Sequence, residues 1–235
     1  MDAHLFLKTH RTPVLSEEER TAFIGSFVRT LDFGPREMMV REGVPVTQCT
    51  LVTKGLVQRF KDARDGKRQI LALHVPGDFV DLHSYPLKRL EHSVSALTQV
   101  AAIVMPHPQV RALTKLSATL TELMWRSTMI DAAINREWLL NIGTRDAAQR
   151  IGHLFCEMYI RLERVGLATD HVLALPLTQT DLGDATALTA VHVNRMLRQL
   201  REDGLADFKA GVVTILDWER LRRFAEFDPG YLFLE

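Results

Sequence analysis

The sequence predicts an α+β fold: an N-terminal β-roll, a long helix, and a C-terminal winged helix-turn-helix. Three observations predict it. Short β-compatible runs separated by turn residues fill the chain from Gly34 to about Pro106. From about Pro108 the texture becomes helical for some fifty residues. Between Leu175 and Ile215, two short capped helices are followed by two short strands. The expected divisions are 1–107 for the roll with a helix before it, 108–142 for the long helix, and 143–235 for the last module with its tail.

Ser16-Glu-Glu-Glu19 has the form of a capping box, in which the hydroxyl and the third-position carboxylate each satisfy an orphan amide. It opens an amphipathic helix expected to run through Phe23, Phe27 and Leu31. Strands are expected at Met38 to Arg41, Thr50 to Thr53, Leu56 to Lys61, Gln69 to His74, Val94 to Leu97 and Ala101 to Val104. Asp65-Gly66 between two such runs is a hairpin signal, because glycine supplies the positive φ that a tight turn needs. Many short strands at regular spacing indicate a sandwich or roll.

In the helical stretch, Leu116, Leu120, Leu123, Ser127, Ile130, Ile134 and Trp138 recur at spacings of three and four. A long helix with one apolar stripe outside a compact β-domain calls for a partner helix, most simply that of a second copy. These seven residues are therefore the expected dimer seam. Asn141-Ile-Gly-Thr144 is the expected hinge, since glycine weakens a helix interior by about 1 kcal/mol. Arg145 to Glu163 is expected to form another helix, and Val165 to His171 an exposed loop.

Thr178-Gln-Thr-Asp181 is a second capping box, and Leu182 and Ala185 give its helix a short apolar face. Thr186-Ala-Leu188 makes a tight connection, and Thr189 caps a second helix whose buried stripe is Val193, Met196, Leu197 and Leu200. Gly204 suits a left-handed stop. Leu205 to Phe208 and Val212 to Ile215, joined by Lys209-Ala-Gly211, fit a wing. The outer face of the second helix carries Ala190, Val191, Asn194, Arg195 and Arg198, an assortment suited to reading base edges in a major groove. From Pro176 to Phe224 seven Lys and Arg stand against seven Asp and Glu, so positive charge must be segregated onto one face to meet phosphates.

Formal net charge is zero, with 46% hydrophobic and 25% charged residues, ordinary values for a globular chain. The first eight residues are too short and interrupted for a signal peptide. No apolar run approaches the roughly 18 residues that cross a bilayer. The two cysteines, Cys49 and Cys156, fit a reducing compartment better than a disulfide scaffold. The expectation is a cytoplasmic protein with no membrane contact, no catalytic residue and no metal or other cofactor. No nucleophile elbow, Gly-rich phosphate loop or His-Glu-x-x-His is present.

With Leu51-Val-Thr-Lys-Gly55, Gln69-Ile-Leu-Ala-Leu-His-Val-Pro-Gly-Asp78-Phe and the helix-turn-helix Leu177 to Leu205 in this order, the chain resembles the CRP/FNR family of bacterial transcription regulators. The resemblance implies a cyclic-nucleotide-binding-like jelly roll and a homodimer paired through its long helices. It also implies double-stranded DNA as partner, a palindromic site read by two recognition helices, and RNA polymerase as a further partner of an activator. The family's base readers map to Ala190, Val191, Asn194 and Arg195. Thr178, Gln179, Thr189, His192 and Arg198 map to backbone contacts, which position without specifying.

The chain departs from the family at the effector cassette. Relatives that bind cyclic AMP use a carboxylate for the ribose and an arginine for the phosphate. Here Leu82 and His92 stand at those places. Cyclic AMP is therefore not expected, while His83, Lys88, Arg89, His92 and Ser93 remain candidates for holding another small-molecule effector. Two cysteines cannot supply the four ligands of the family's iron–sulfur branch. His153 and Cys156 read as packing residues. The alternative is an allosteric regulatory protein whose β-roll binds a small ligand and whose C-terminal module docks on a protein.

Overall fold

A computed structural model describes residues 3–9 and 15–234. In order along the chain these form α1 (His4–Thr9), α2 (Glu17–Gly25), β1 (Arg29–Phe33), β2 (Met38–Val40), β3 (Gln48–Lys54), β4 (Val57–Asp62) and β5 (Arg68–His74). Next come α3 (Ser84–Leu87), β6 (Ser93–Ala96), β7 (Val100–Pro106), α4 (His107–Leu116), α5 (Ala118–Thr144) and α6 (Ala147–Arg164). The last are β8 (Ala168–Thr169), β9 (Val172–Ala174), α7 (Gln179–Thr186), α8 (Ala190–Glu202), β10 (Ala206–Lys209), β11 (Val212–Ile215) and α9 (Trp218–Phe224). The described chain divides into two compact units, one holding the residues before Asp62 with Ala72–Ala132, the other Asp62–Leu71 with Ala133–Phe233.

The first unit is built on antiparallel sheets ordered β1-β7-β3 and β2-β6-β4-β5. Val52, Val100 and Ala102 from the first sheet pack with Val57, Val94 and Ala96 from the second, as small and β-branched residues do between facing pleated surfaces. A second core gathers Phe6, Phe23, Phe27 and Phe79 with Leu120, Leu123 and Met124 of α5. Its rings of Phe6 and Phe23 stack with centroids 5.3 Å apart.

The capping box at Ser16 forms as expected, but α2 stops at Gly25. Phe27 lies in the following turn, and Leu31 pairs with Ala102 in the sheet. The helical stretch also breaks at Ser117, whose backbone is extended and whose hydroxyl accepts from the Leu120 amide. Leu116 thus ends α4 and is not part of the long helix. At the expected hinge, α5 instead continues through Gly143 to Thr144. The interruption falls at Arg145-Asp146, where Asp146 and Gln149 form a capping box for α6.

In the second unit, α6 is a buried helix against which α7, α8 and α9 pack. Its Glu157 is fully buried and receives Trp138 Nε1 and Tyr231 Oη, each at 2.9 Å, and pairs with Arg161 at 3.0 Å. A buried carboxylate is tolerable only with such partners. The stretch Val165 to His171 contains strand β8 and a turn with Asp170 and His171 at positive φ, rather than a plain loop. The sheet order is β10-β11-β9-β8.

Candidate nucleic-acid interface and effector site

Helix α7 begins at Thr178, whose hydroxyl accepts from the Asp181 amide at 3.1 Å while Asp181 Oδ2 takes the Thr178 amide and hydroxyl, each at 2.7 Å. The turn into α8 is tight because Gly183 lacks a side chain: a Cβ there would meet Leu188 O at 2.4 Å. Ala187 takes the left-handed conformation at the end of α7. Thr189 then caps α8, accepting from the His192 amide at 3.2 Å. Val193 and Leu200 bury the inner face of α8 against this unit. Gly204, at φ +67°, ends the helix and turns the chain into the wing strands β10 and β11.

This arrangement leaves Ala190, Val191, Asn194, Arg195 and Arg198 exposed on one face, with Val191 76% accessible. Arg195 has no hydrogen-bond or ion-pair partner among the described residues. Asn194 Nδ2 lies 3.4 Å from Gln179 Oε1, joining the two helices at their outer edge. His192 is half-buried. Arg198 is bound to Glu202 at 2.7 Å, so any phosphate it meets must compete with that carboxylate. The Thr178 hydroxyl is likewise committed to the Asp181 cap, which leaves it less available to a phosphate than its sequence position suggests.

The expected effector residues converge only in part. His83 and His92 come together, with ring centroids 5.4 Å apart. His92 is buried, and its Nδ1 lies 3.1 Å from Glu91 Oε1. Lys88 terminates α3 with its Nζ 4.7 Å above the Tyr85 ring. Arg89 is exposed. The Ser93 hydroxyl is occupied by the Glu42 amide at 3.1 Å. Leu82 is buried in the apolar core.

What faces the two histidines is a pair that the sequence reading missed. Arg59 of β4 is almost fully buried, with Nη1 2.8 Å from Asp131 Oδ2 of α5 and Nη2 3.1 Å from Val80 O. Burial together with the Arg59 charge pushes His83 down to about 4, which leaves it neutral near pH 7, and the same causes lower His74 and His92. Arg59 is engaged by Asp131 and Val80 O, and Leu82 offers no carboxylate toward a ribose.

Of the expected dimer stripe, Leu120, Leu123, Ser127, Ile134 and Trp138 are buried within the protomer, and Ile130 is half-buried. Leu120 and Leu123 pack in the apolar core of the roll, and Trp138 donates to Glu157, so these three are engaged within the protomer. The outward face of α5 carries Trp125, Met129, Ala132, Arg136, Leu139 and Gly143 instead. Trp125 is 67% and Leu139 73% accessible. His153 and Cys156 are buried as packing residues. Burial and the Arg145 charge push His153 down to about 3, and burial pushes the Cys156 thiol well up.

A jelly roll followed by a long helix and a capped, Arg-bearing reading helix defines a DNA-binding regulator with a sensor-type roll. Residues 30–116 match the family model of the cyclic nucleotide-binding domain, and residues 149–224 match that of the Crp-like helix-turn-helix domain. Together the two matches span most of the chain in the family's order, and the chain belongs to the CRP/FNR family of transcription regulators. It is 24% identical to the transcriptional activator protein FnrL of Cereibacter sphaeroides, over 88% of this chain and 83% of that one. It is 24% identical to the nitrogen fixation regulation protein FixK of Bradyrhizobium diazoefficiens, over 84% and 82%. The structure of FixK2 from Bradyrhizobium japonicum superposes with a TM-score of 0.76 at 25% identity, covering 83% of this chain and 96% of that one.

Proposed function

We propose that this regulator acts in the cytoplasm as a homodimer on a palindromic operator and needs no cyclic nucleotide to do so. The outer face of α8 carries the reading: an unpartnered Arg195 beside Asn194 and Val191, on a helix fixed at both ends by caps. Arg195 pairs with a guanine through its two-pronged guanidinium, and Val191 packs on a thymine methyl. The exposed face of α5 supports dimerisation, because Trp125, Met129, Ala132, Arg136, Leu139 and Gly143 follow the alternating four-and-three spacing of a two-helix seam. The two recognition helices then enter successive major grooves about 34 Å apart. Independence from cyclic nucleotide follows from buried Leu82, from His92 bound to Glu91, and from Arg59 held by Asp131.

Selection of binding sites from random duplexes, using the purified chain without nucleotide, tests the reading. The expected result is a two-fold symmetric motif whose retention is unchanged by added cyclic AMP. Recovery of no motif, or of one only with cyclic AMP present, would overturn it.

A further inference from the structure

The roll contains a cleft that the expected effector residues do not touch. It has a volume of about 450 Å³ and enters between β1, β2 and the segment from Arg41 to Thr47. None of His83, Lys88, Arg89, His92 and Ser93 lines it. Its apolar lining includes Leu31, Phe33, Met38, Met39 and Val46. Phe33, Met39 and Val46 are packed against the core between the sheets, so the cleft reaches from the surface into the apolar interior. The size falls in the range of small-molecule sites, and two thioethers on the wall adapt readily to different shapes.

Charge is arranged along the axis of the cleft. Arg29 and Arg41 stand at its exposed rim. The Arg29 guanidinium donates to the neutral Gln48 amide oxygen at 3.1 Å, and the Arg41 guanidinium has no hydrogen-bond or ion-pair partner among the described residues. The nearby Glu42 is taken by Lys61 at 3.1 Å. Neither rim guanidinium is therefore neutralised by a carboxylate. Thr47, Gln48, Thr50 and Asp81 also line the cleft; of these Thr50 and Asp81 are buried, and the Asp81 oxygens accept from the Thr50 amide at 2.5 Å and hydroxyl at 3.0 Å. The Asp81 oxygens are already satisfied by Thr50 and offer an anion no donor, whereas the rim guanidinium groups attract one.

We propose that this cleft binds an amphipathic carboxylic acid, with the hydrocarbon body between Phe33, Met39 and Val46 and the carboxylate at Arg29 and Arg41. Guanidinium–carboxylate pairing at the rim fixes the orientation, and burial of the apolar body supplies most of the affinity. The inference rests on reading the roll as the sensing part of the regulator. Its test reads ligand binding and not DNA binding, so the two can fail separately.

Isothermal titration of the full chain with sub-millimolar decanoate, beside the uncharged decan-1-ol, provides the test. The expected result is saturable one-to-one decanoate binding that weakens tenfold or more in the Arg29→Gln, Arg41→Gln double variant. Decan-1-ol should bind both proteins equally and more weakly than decanoate binds the wild type. Because both substitutions lie at an exposed rim, the melting temperature should be unchanged. A second variant, Val46→Phe, fills the cleft and should abolish binding of both probes. Absence of saturable decanoate binding, equal decanoate affinity in the double variant, or undiminished binding in Val46→Phe would each overturn the proposal.

Discussion

Asp81 is fully buried, and the cost of placing its charge in the protein interior pushes it up to about 7, against the lowering effects of Thr50 and Arg59. The consequence for stability has a definite sign. Between about pH 4 and pH 7 the folded chain holds a proton on Asp81 that the unfolded chain has released. Each unit rise in pH across that window therefore costs up to about 1.4 kcal/mol of stability from this group. In Asp81→Asn the contribution disappears, so denaturant midpoints of the variant should gain on the wild type as pH rises from 4 to 7. Parallel midpoints at pH 4.5 and pH 7 would contradict the assignment. Arg59 and Asp131 make a related point about reading a sequence. They lie 72 positions apart. Only the strand order and the path of α5 bring them together, and no local pattern announces a buried ion pair.

At the scale of elements, α5 carries two stripes that both obey the three-and-four spacing. Leu120, Leu123, Ser127, Ile130, Ile134 and Trp138 form one, and Trp125, Met129, Ala132, Arg136 and Leu139 the other. Periodicity identifies a helix with apolar faces, yet it cannot say which face the chain's own cores claim. The structure decides, since Leu120 and Leu123 pack with Phe6, Phe23 and Phe27. Charged substitutions should separate the two roles. Trp125→Glu with Leu139→Glu should give a monomer by sedimentation, with the wild-type circular dichroism spectrum. Leu123→Glu buries a charge without a partner and should lower stability by about 3 kcal/mol or more. A dimeric Trp125→Glu, Leu139→Glu variant would rule out this face as the seam. The capping boxes at Ser16 and Thr178 were legible because their chemistry is local, and so was the Gly204 stop. Strand β1 and helix α9 were not, because their short sequences become ordered mainly through pairing with β7 and packing on α6.

Across the whole molecule, the order of roll, long helix and reading helix was readable in the sequence, because each element announces itself through period and punctuation. Which side chains meet inside the roll was not readable. Of the expected effector residues His83 and His92 come together, while the Arg59–Asp131 pair and the cleft beside β1 and β2 were announced by no local pattern. A zero net charge makes the placement of charge decisive for DNA binding: cations must gather on the α8 face that carries Arg195 and Arg198. Fluorescence anisotropy of wild type and Arg195→Ala, on the selected operator and on a scrambled duplex across a range of salt, tests that role. Replacing Arg195 should cost about 1–3 kcal/mol per half-site on the operator and relax preference at one base pair. Affinity for the scrambled duplex should change far less. Equal losses on the two duplexes would show that Arg195 meets only the backbone and would contradict α8 as the reading helix.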